Sequence, residues 1–256
     1  MNAQLGIRDT EASATKPPLS CTICLGFDLN ICLPAAAAAA ENAPSRAKPL
    51  KIGQSGHTVP ARRIIWREQD LHDIVPVICS GWAAAIVMLS NGSRQIVSFL
   101  LPGDVISTTL LFEARSYCVV EAITDVRYRA FNRAQLRSLL FNQPDLFDRF
   151  AKAWVDEKAR ADQLIVDLGR RTADERIARL ILNLVERLDK RGMVRGESNE
   201  LEFPLRQHHI ADATGLTPVH VSKVLTEFRR NGLINISERS LTILDLPGFR
   251  LVAHMR

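Results

Sequence analysis

The sequence predicts an α+β chain: an antiparallel β-roll, one long helix, then a compact helix-turn-helix unit closed by a small hairpin. Three observations carry this. Residues 59 to 132 run as short β-type segments separated by turn residues. After Asn132 the apolar residues switch to helical spacing. Near the C-terminus, "HHIADATGLTPVHVSKVL" joins two short amphipathic stretches through a glycine, and "LINISERSLTIL" follows as a hairpin.

Residues 1–58 are polar at the start, then carry three cysteines, an alanine run and a Pro/Ser/Lys stretch. The alanine run could form a short helix, but nothing else supplies a packing face, so a flexible N-terminal region is expected. Within it, Cys21, Cys24 and Cys32 are spaced Cys-x2-Cys-x7-Cys and can wrap one metal centre. The spacing does not choose the metal, zinc being one candidate, and incidental thiols of an unstructured tail would explain it equally.

Residues 59–143 are read as the β-roll. "DIVPVICSG", "WAAAIVML", "SRQIVSFLL" and "YCVVEAITD" have the length and β-branched content of strands. Asn91-Gly92 marks a hairpin, and Pro102-Gly103-Asp104 a turn. Residues 144–170 form the long helix. Phe147, Phe150, Trp154, Glu157, Ala161, Leu164 and Leu168 alternate by three and four, a heptad seam with one polar member. Such a seam could pack on its own β-domain. Its narrowness and flanking Arg and Lys favour pairing between two chains, so these apolar positions are the expected dimer seam.

Residues 171–256 form the last unit. "TADERIARLILNLVERLDKRG" is an amphipathic helix capped by Thr172 or Asp174 and stopped at Gly192. In the helix-turn-helix, small Ala211 permits a close crossing, Gly215 takes the turn, and Ile210, Val221 and Val224 pin the helices together. Thr217 and Pro218 start the second helix. Its other edge, Val219, His220, Ser222 and Lys223, is uncharged to basic, with Arg229 and Arg230 at its far end. A helical hairpin built only for packing gives no reason for that edge; a helix lying in a DNA major groove does.

The chain has 256 residues and a formal net charge of +5, which suits a polyanionic partner without requiring one. No apolar run approaches the roughly 20 residues that span a bilayer, and the N-terminus lacks the pattern of a signal peptide. A cytoplasmic protein with no membrane association is expected. No nucleophile–base pair, P-loop or metal-hydrolase motif appears, so no enzyme is expected. His208-His209, at the start of a reader helix, are expected to face phosphate or solvent.

Four stretches carry a family resemblance: "GSRQIVSFLLPGDVIS", "TADERIARLILNL", "HHIADATGLTPVHVSKVLTEFRRNGLI" and "SLTILD". Over residues 59 to 250 the chain resembles the Crp/Fnr superfamily of bacterial transcription regulators. The resemblance implies a cyclic-nucleotide-binding-like β-roll, a dimerisation helix and a winged helix-turn-helix. It also implies a homodimer on a palindromic operator in double-stranded DNA, with RNA polymerase as a further partner.

The family's base-reading positions fall on Val219, Ser222 and Lys223, with His220 adjacent. Many members carry Glu at the first and Arg at the last, so Val219 and Lys223 imply a changed half-site. Arg206, Thr217, Arg229 and Arg230 are candidates for phosphate. Cyclic-nucleotide-responsive members place a Glu after the "PGD" turn; Ser107-Thr108 follow it here, leaving Arg115-Ser116 without that carboxylate, so cAMP is not expected. Fnr-like members hold a 4Fe-4S cluster on N-terminal cysteines plus one remote cysteine. Here that implies Cys21, Cys24 and Cys32 with Cys118, which departs from the family's position, or Cys79. A metal-free regulator responding to another small molecule is the alternative; a non-DNA-binding ligand module or a redox carrier would have no use for the reader.

Overall fold

The structure is a computed structural model that describes residues 54–68, 70–194 and 200–254. Cys21, Cys24 and Cys32 lie outside the described residues. Seven strands come first: β1 (Gln54–Val59), β2 (Ile64–Trp66), β3 (Ile74–Ser80), β4 (Ala83–Met88), β5 (Arg94–Leu100), β6 (Val119–Ala122) and β7 (Val126–Asn132). They form two antiparallel sheets, ordered β1-β7-β3 and β2-β6-β4-β5. The hairpin at Asn91-Gly92 is present, with Leu89 N–H donating to Ser93 O at 2.9 Å and Gly92 at φ +84°. The roll starts at Gln54 rather than 59 because β1 is held by its backbone register with β7, which leaves no apolar alternation to read.

Three helices follow: α1 (Arg133–Asn142), α2 (Pro144–Arg170) and α3 (Ala173–Asp189). Asn132 caps α1 through its side chain and Gln135 N–H, 3.0 Å apart. At α3 the cap is Thr172, not Asp174: Thr172 N–H donates to the Glu175 carboxylate and Glu175 N–H to Thr172 Oγ1. The C-terminal unit holds β8 (Glu200–Glu202), α4 (Gln207–Thr214), α5 (Pro218–Arg230), β9 (Ile234–Ser237), β10 (Ser240–Ile243) and α6 (Leu246–Val252). The predicted hairpin β9–β10 gains a third strand, giving the order β8-β10-β9.

Two apolar cores share β4. Ala83 and Ala85 face the interior of the roll with Val75, Val120 and Phe131, while Ala84 and Ile86 face outward into a second core with Ile177, Ile181 and Ile210. A strand buried on both faces reads as a continuous apolar run, which is why "WAAAIVML" shows so little alternation. Trp82 packs edge-on against Phe203 across this boundary, with ring centroids 6.4 Å apart. The C-terminal unit therefore docks directly on the roll's outer face.

Polar contacts fix the docking. Gln95 Nε2 donates to Ala213 O at 3.2 Å, and Arg94 pairs with Asp212 at 3.5 Å. Asp104, in the predicted turn, is buried between two arginines of the α3 end. Its carboxylate takes Arg187 Nη2 at 2.6 Å and also Arg191 Nη2, while Leu101 N–H donates to it at 2.7 Å. Burial alone would raise the Asp104 pKa, but Arg187 and Arg191 outweigh it and hold the carboxyl below its usual range.

Helix α2 divides the predicted seam. Phe150 is 1% exposed inside the roll's own core. Glu157 reaches the roll and accepts from Thr108 Oγ1 at 2.7 Å, and Leu164 and Leu168 face the gap beneath α3. Phe147, Trp154 and Ala161 remain on the exposed side. The uncovered apolar stripe is Phe147, Trp154, Val155, Ile165 and Val166, with Ile165 70% exposed. The stripe is thus rotated by about one residue from the seam read by spacing, because the roll claims the flank that carries Phe150.

Candidate nucleic-acid interface

The reader is built from local stereochemistry. Gly215 ends α4 in the left-handed region at φ +66°, where Leu216 N–H reaches back to Ala211 O at 3.1 Å. Thr217 then caps α5, its hydroxyl accepting from His220 N–H at 3.2 Å, with Pro218 as the first helical residue. Val221, Val224, Leu225 and Phe228 are buried against α3, α4 and α6. That burial fixes which edge of α5 faces outward: Val219 is 80% exposed, His220 and Lys223 are exposed, and Ser222 is half-buried.

The predicted phosphate residues lie around this edge. Thr217 is exposed at the start of α5, and Arg229 and Arg230 are exposed at its end. Arg206 precedes α4 and borders a surface cleft with Gln207, His208, Pro218 and Arg229. Sequence reasoning did not single out Gln207, whose position follows from the fold. The two histidines separate in role. His208 is exposed, whereas His209 is half-buried and its Nδ1 accepts the Arg206 N–H at 3.0 Å. Burial first, then the positive surroundings of His208, Arg94 and Arg206, lower the His209 pKa to about 4. It is neutral at physiological pH, as an acceptor must be. At the wing tip Glu238 and Arg239 both take positive φ, +47° and +65°, and leave the Arg239 side chain exposed.

A second cavity, of about 470 Å³, lies between the roll and α2, within the range of small-molecule sites. Thr108, Ser116, Cys118, Lys152 and Glu157 are among its walls. Arg115 is exposed and not among them, while Glu157 supplies from α2 a carboxylate that the Ser107-Thr108 segment after the turn lacks. Cys118 is half-buried just before β6. Burial, then the charges of Glu68 and Glu157, push its thiol pKa up. Among the described residues no group of three or more His, Cys, Asp or Glu is placed to hold a metal ion.

A β-roll joined by a long helix to a winged helix-turn-helix defines a class of DNA-binding transcription regulators. Residues 57–143 match the cyclic nucleotide-binding domain, and residues 175–252 match the Crp-like helix-turn-helix domain. The chain is 32% identical to the nitrogen fixation regulation protein FixK of Bradyrhizobium diazoefficiens, over 71% of this chain and 74% of that one. It is 30% identical to the transcriptional activator protein FnrL of Cereibacter sphaeroides, over 75% of each. The structure of FixK2 from Bradyrhizobium japonicum superposes with a TM-score of 0.70 at 23% identity, covering 78% of this chain and 98% of that one. The chain belongs to the Crp/Fnr family and is a DNA-binding transcription regulator. No helix among the described residues is long and apolar enough to cross a membrane.

Proposed function

We propose that the chain acts as a homodimer on a roughly palindromic operator, with α5 of each copy in successive major grooves. The observation that carries this reading is the exposed edge Val219–His220–Ser222–Lys223, held outward by the buried seam of α5 and flanked by Arg206, Thr217, Arg229 and Arg230. The dimer contact we assign to the apolar stripe on α2, because an uncovered row of Trp154, Val155, Ile165 and Val166 is costly in water and self-complementary about a two-fold axis. On DNA, contact with RNA polymerase is the step by which such a dimer would change transcription.

For sensing, one specific observation supports the metal-free reading: the roll–α2 cavity can hold a small effector. Where the effector touches α2 it biases the dimer, and through it the spacing of the two reader helices.

A gel shift with genomic fragments tests the reader. A specific complex is expected whose log affinity falls linearly with log salt, and Arg229→Ala with Arg230→Ala should flatten that slope by roughly 1 for each phosphate left without its arginine. No specific complex in either oxidised or reduced protein would overturn the proposal. Iron and sulfide content decide the sensor: iron-free protein that binds the operator supports the metal-free reading, and an anaerobic iron–sulfur chromophore required for binding overturns it.

A further inference from the structure

The docked C-terminal unit leaves a third, partly open cavity, between α2, α3 and β5, of about 120 Å³. Its apolar walls are Ile96 and Phe99 of β5, Leu164 and Leu168 of α2, and Leu180 and Leu184 of α3. Its charged walls are four arginines, Arg160, Arg176, Arg179 and Arg187, against one carboxylate, Asp167. The lining therefore carries a formal charge of +3, four positive less one negative.

That carboxylate is already committed. Asp167 Oδ1 accepts from Gln163 Nε2 at 2.8 Å, Arg179 Nε at 2.8 Å and Arg171 Nε at 3.0 Å. Arg176 donates only to neutral carbonyls, those of Arg171 at 2.9 Å and Thr214 at 3.2 Å. Arg187 spends its Nη2 on Asp104 and Phe99 O. The Nε–H groups of Arg160 and Arg187 are both buried with no hydrogen-bond partner. Burial lowers the Arg187 pKa, with Asp104 opposing and the charge of Arg160 adding to the depression, so the two guanidinium groups feel each other. Buried donors on cations that lack an acceptor are costly, and two of them belong to residues that line this one cavity.

We propose that this cavity binds a small organic anion: one carboxylate received by Arg160 and Arg187, carried on a short aliphatic body that lies among the leucines. A carboxylate satisfies planar guanidinium donors in a way that a halide does not. The volume sets the size of the body: a cavity of about 150 Å³ accommodates benzene, so this smaller one takes a short chain rather than a ring. The site is distinct from the roll–α2 cavity, although Arg160 stands in the wall between them; Lys152 borders only the latter. Because α2 and β5 lie on one side and α3 leads into the reader on the other, the anion would tie the reader to the roll and favour the docked arrangement.

Calorimetric titration of the full chain, in the absence of DNA, tests this with propionate and butyrate as probes. One molecule of at least one acid should bind per chain and raise the melting temperature, while propionamide and butanol should not bind. Arg160→Gln removes no bond within the protein, so it should fold normally and weaken the acid at least tenfold. Lys152→Gln should leave the affinity unchanged. Three results would overturn the proposal: neither acid binding at millimolar concentration, Arg160→Gln binding as tightly as the parent, or Lys152→Gln losing affinity, which would place the anion in the roll–α2 cavity. Since no operator is involved, these outcomes are independent of the DNA-binding reading.

Discussion

Asp104→Ala tests whether the boundary between roll and reader is held as described. The substitution removes one carboxylate from between Arg187 and Arg191 and strips Leu101 N–H of its acceptor. Deleting one member of a buried ion pair costs about 3–5 kcal/mol, because the surviving charge stays buried. Here Arg187 keeps Phe99 O at 2.9 Å and Arg191 keeps Pro102 O at 2.7 Å, which places the expected loss near the lower end, about 3 kcal/mol. Asp104→Asn retains an oxygen for Leu101 and should lose roughly 1.5–2 kcal/mol, the worth of a hydrogen bond to a charged partner. Urea unfolding followed by tryptophan emission is the assay, since Trp82 sits at the same boundary against Phe203. The pH dependence supplies a second check. Asp104 titrates below its ordinary value, so its contribution is present above pH ~4 and lost as pH falls through the lowered pKa. The acid limb of the stability curve should shrink in Asp104→Ala. A loss under about 1 kcal/mol would refute the reasoning, because it would mean the three charges are screened as they are on a surface.

Three further outcomes follow from the reader. Val219→Glu adds an acceptor to an exposed position of α5 and should shift preference at one base pair by about 1–3 kcal/mol, read by selection from random operators; an unchanged consensus would remove Val219 from the base-reading edge. Gly215→Ala forces a Cβ into the left-handed region, 3.4 Å from Leu168 Cδ2, and should cost about 1–2 kcal/mol in a thermal melt. His209 has a lowered pKa, so the unfolded chain binds its proton more readily than the folded one. Its contribution is complete above pH ~6.5 and declines as pH falls toward about 4. The imidazole resonances of His209 should therefore titrate well below those of an ordinary histidine.

Much of the reader was legible because its signals are local. Gly215 in the turn, Thr217 at the cap and the i, i+3, i+4, i+7 run from Val221 to Phe228 each depend on residues within a turn or two, and each is realised. The Asn91-Gly92 hairpin and the Thr172 cap are of the same kind. Other features had no local signal. Strand β8 gains its place only by pairing with β10. Asp104 reads as a turn residue, and nothing near it in sequence foretells partners 83 and 87 positions away.

The long helix shows where the division falls. Sequence by itself determined that residues 144–170 form an amphipathic helix, that a β-roll precedes it and that a winged reader follows, since periodicity, caps and turn chemistry are properties of neighbouring residues. Only the tertiary structure decided which flank of that helix is free. An apolar residue at helical spacing is equally satisfied by its own domain or by another chain, and the choice depends on what surface lies opposite. Phe150 found the roll and Ile165 found none, because the two cores sharing β4 fix where α2 can lie, and that geometry is written in contacts far apart along the chain.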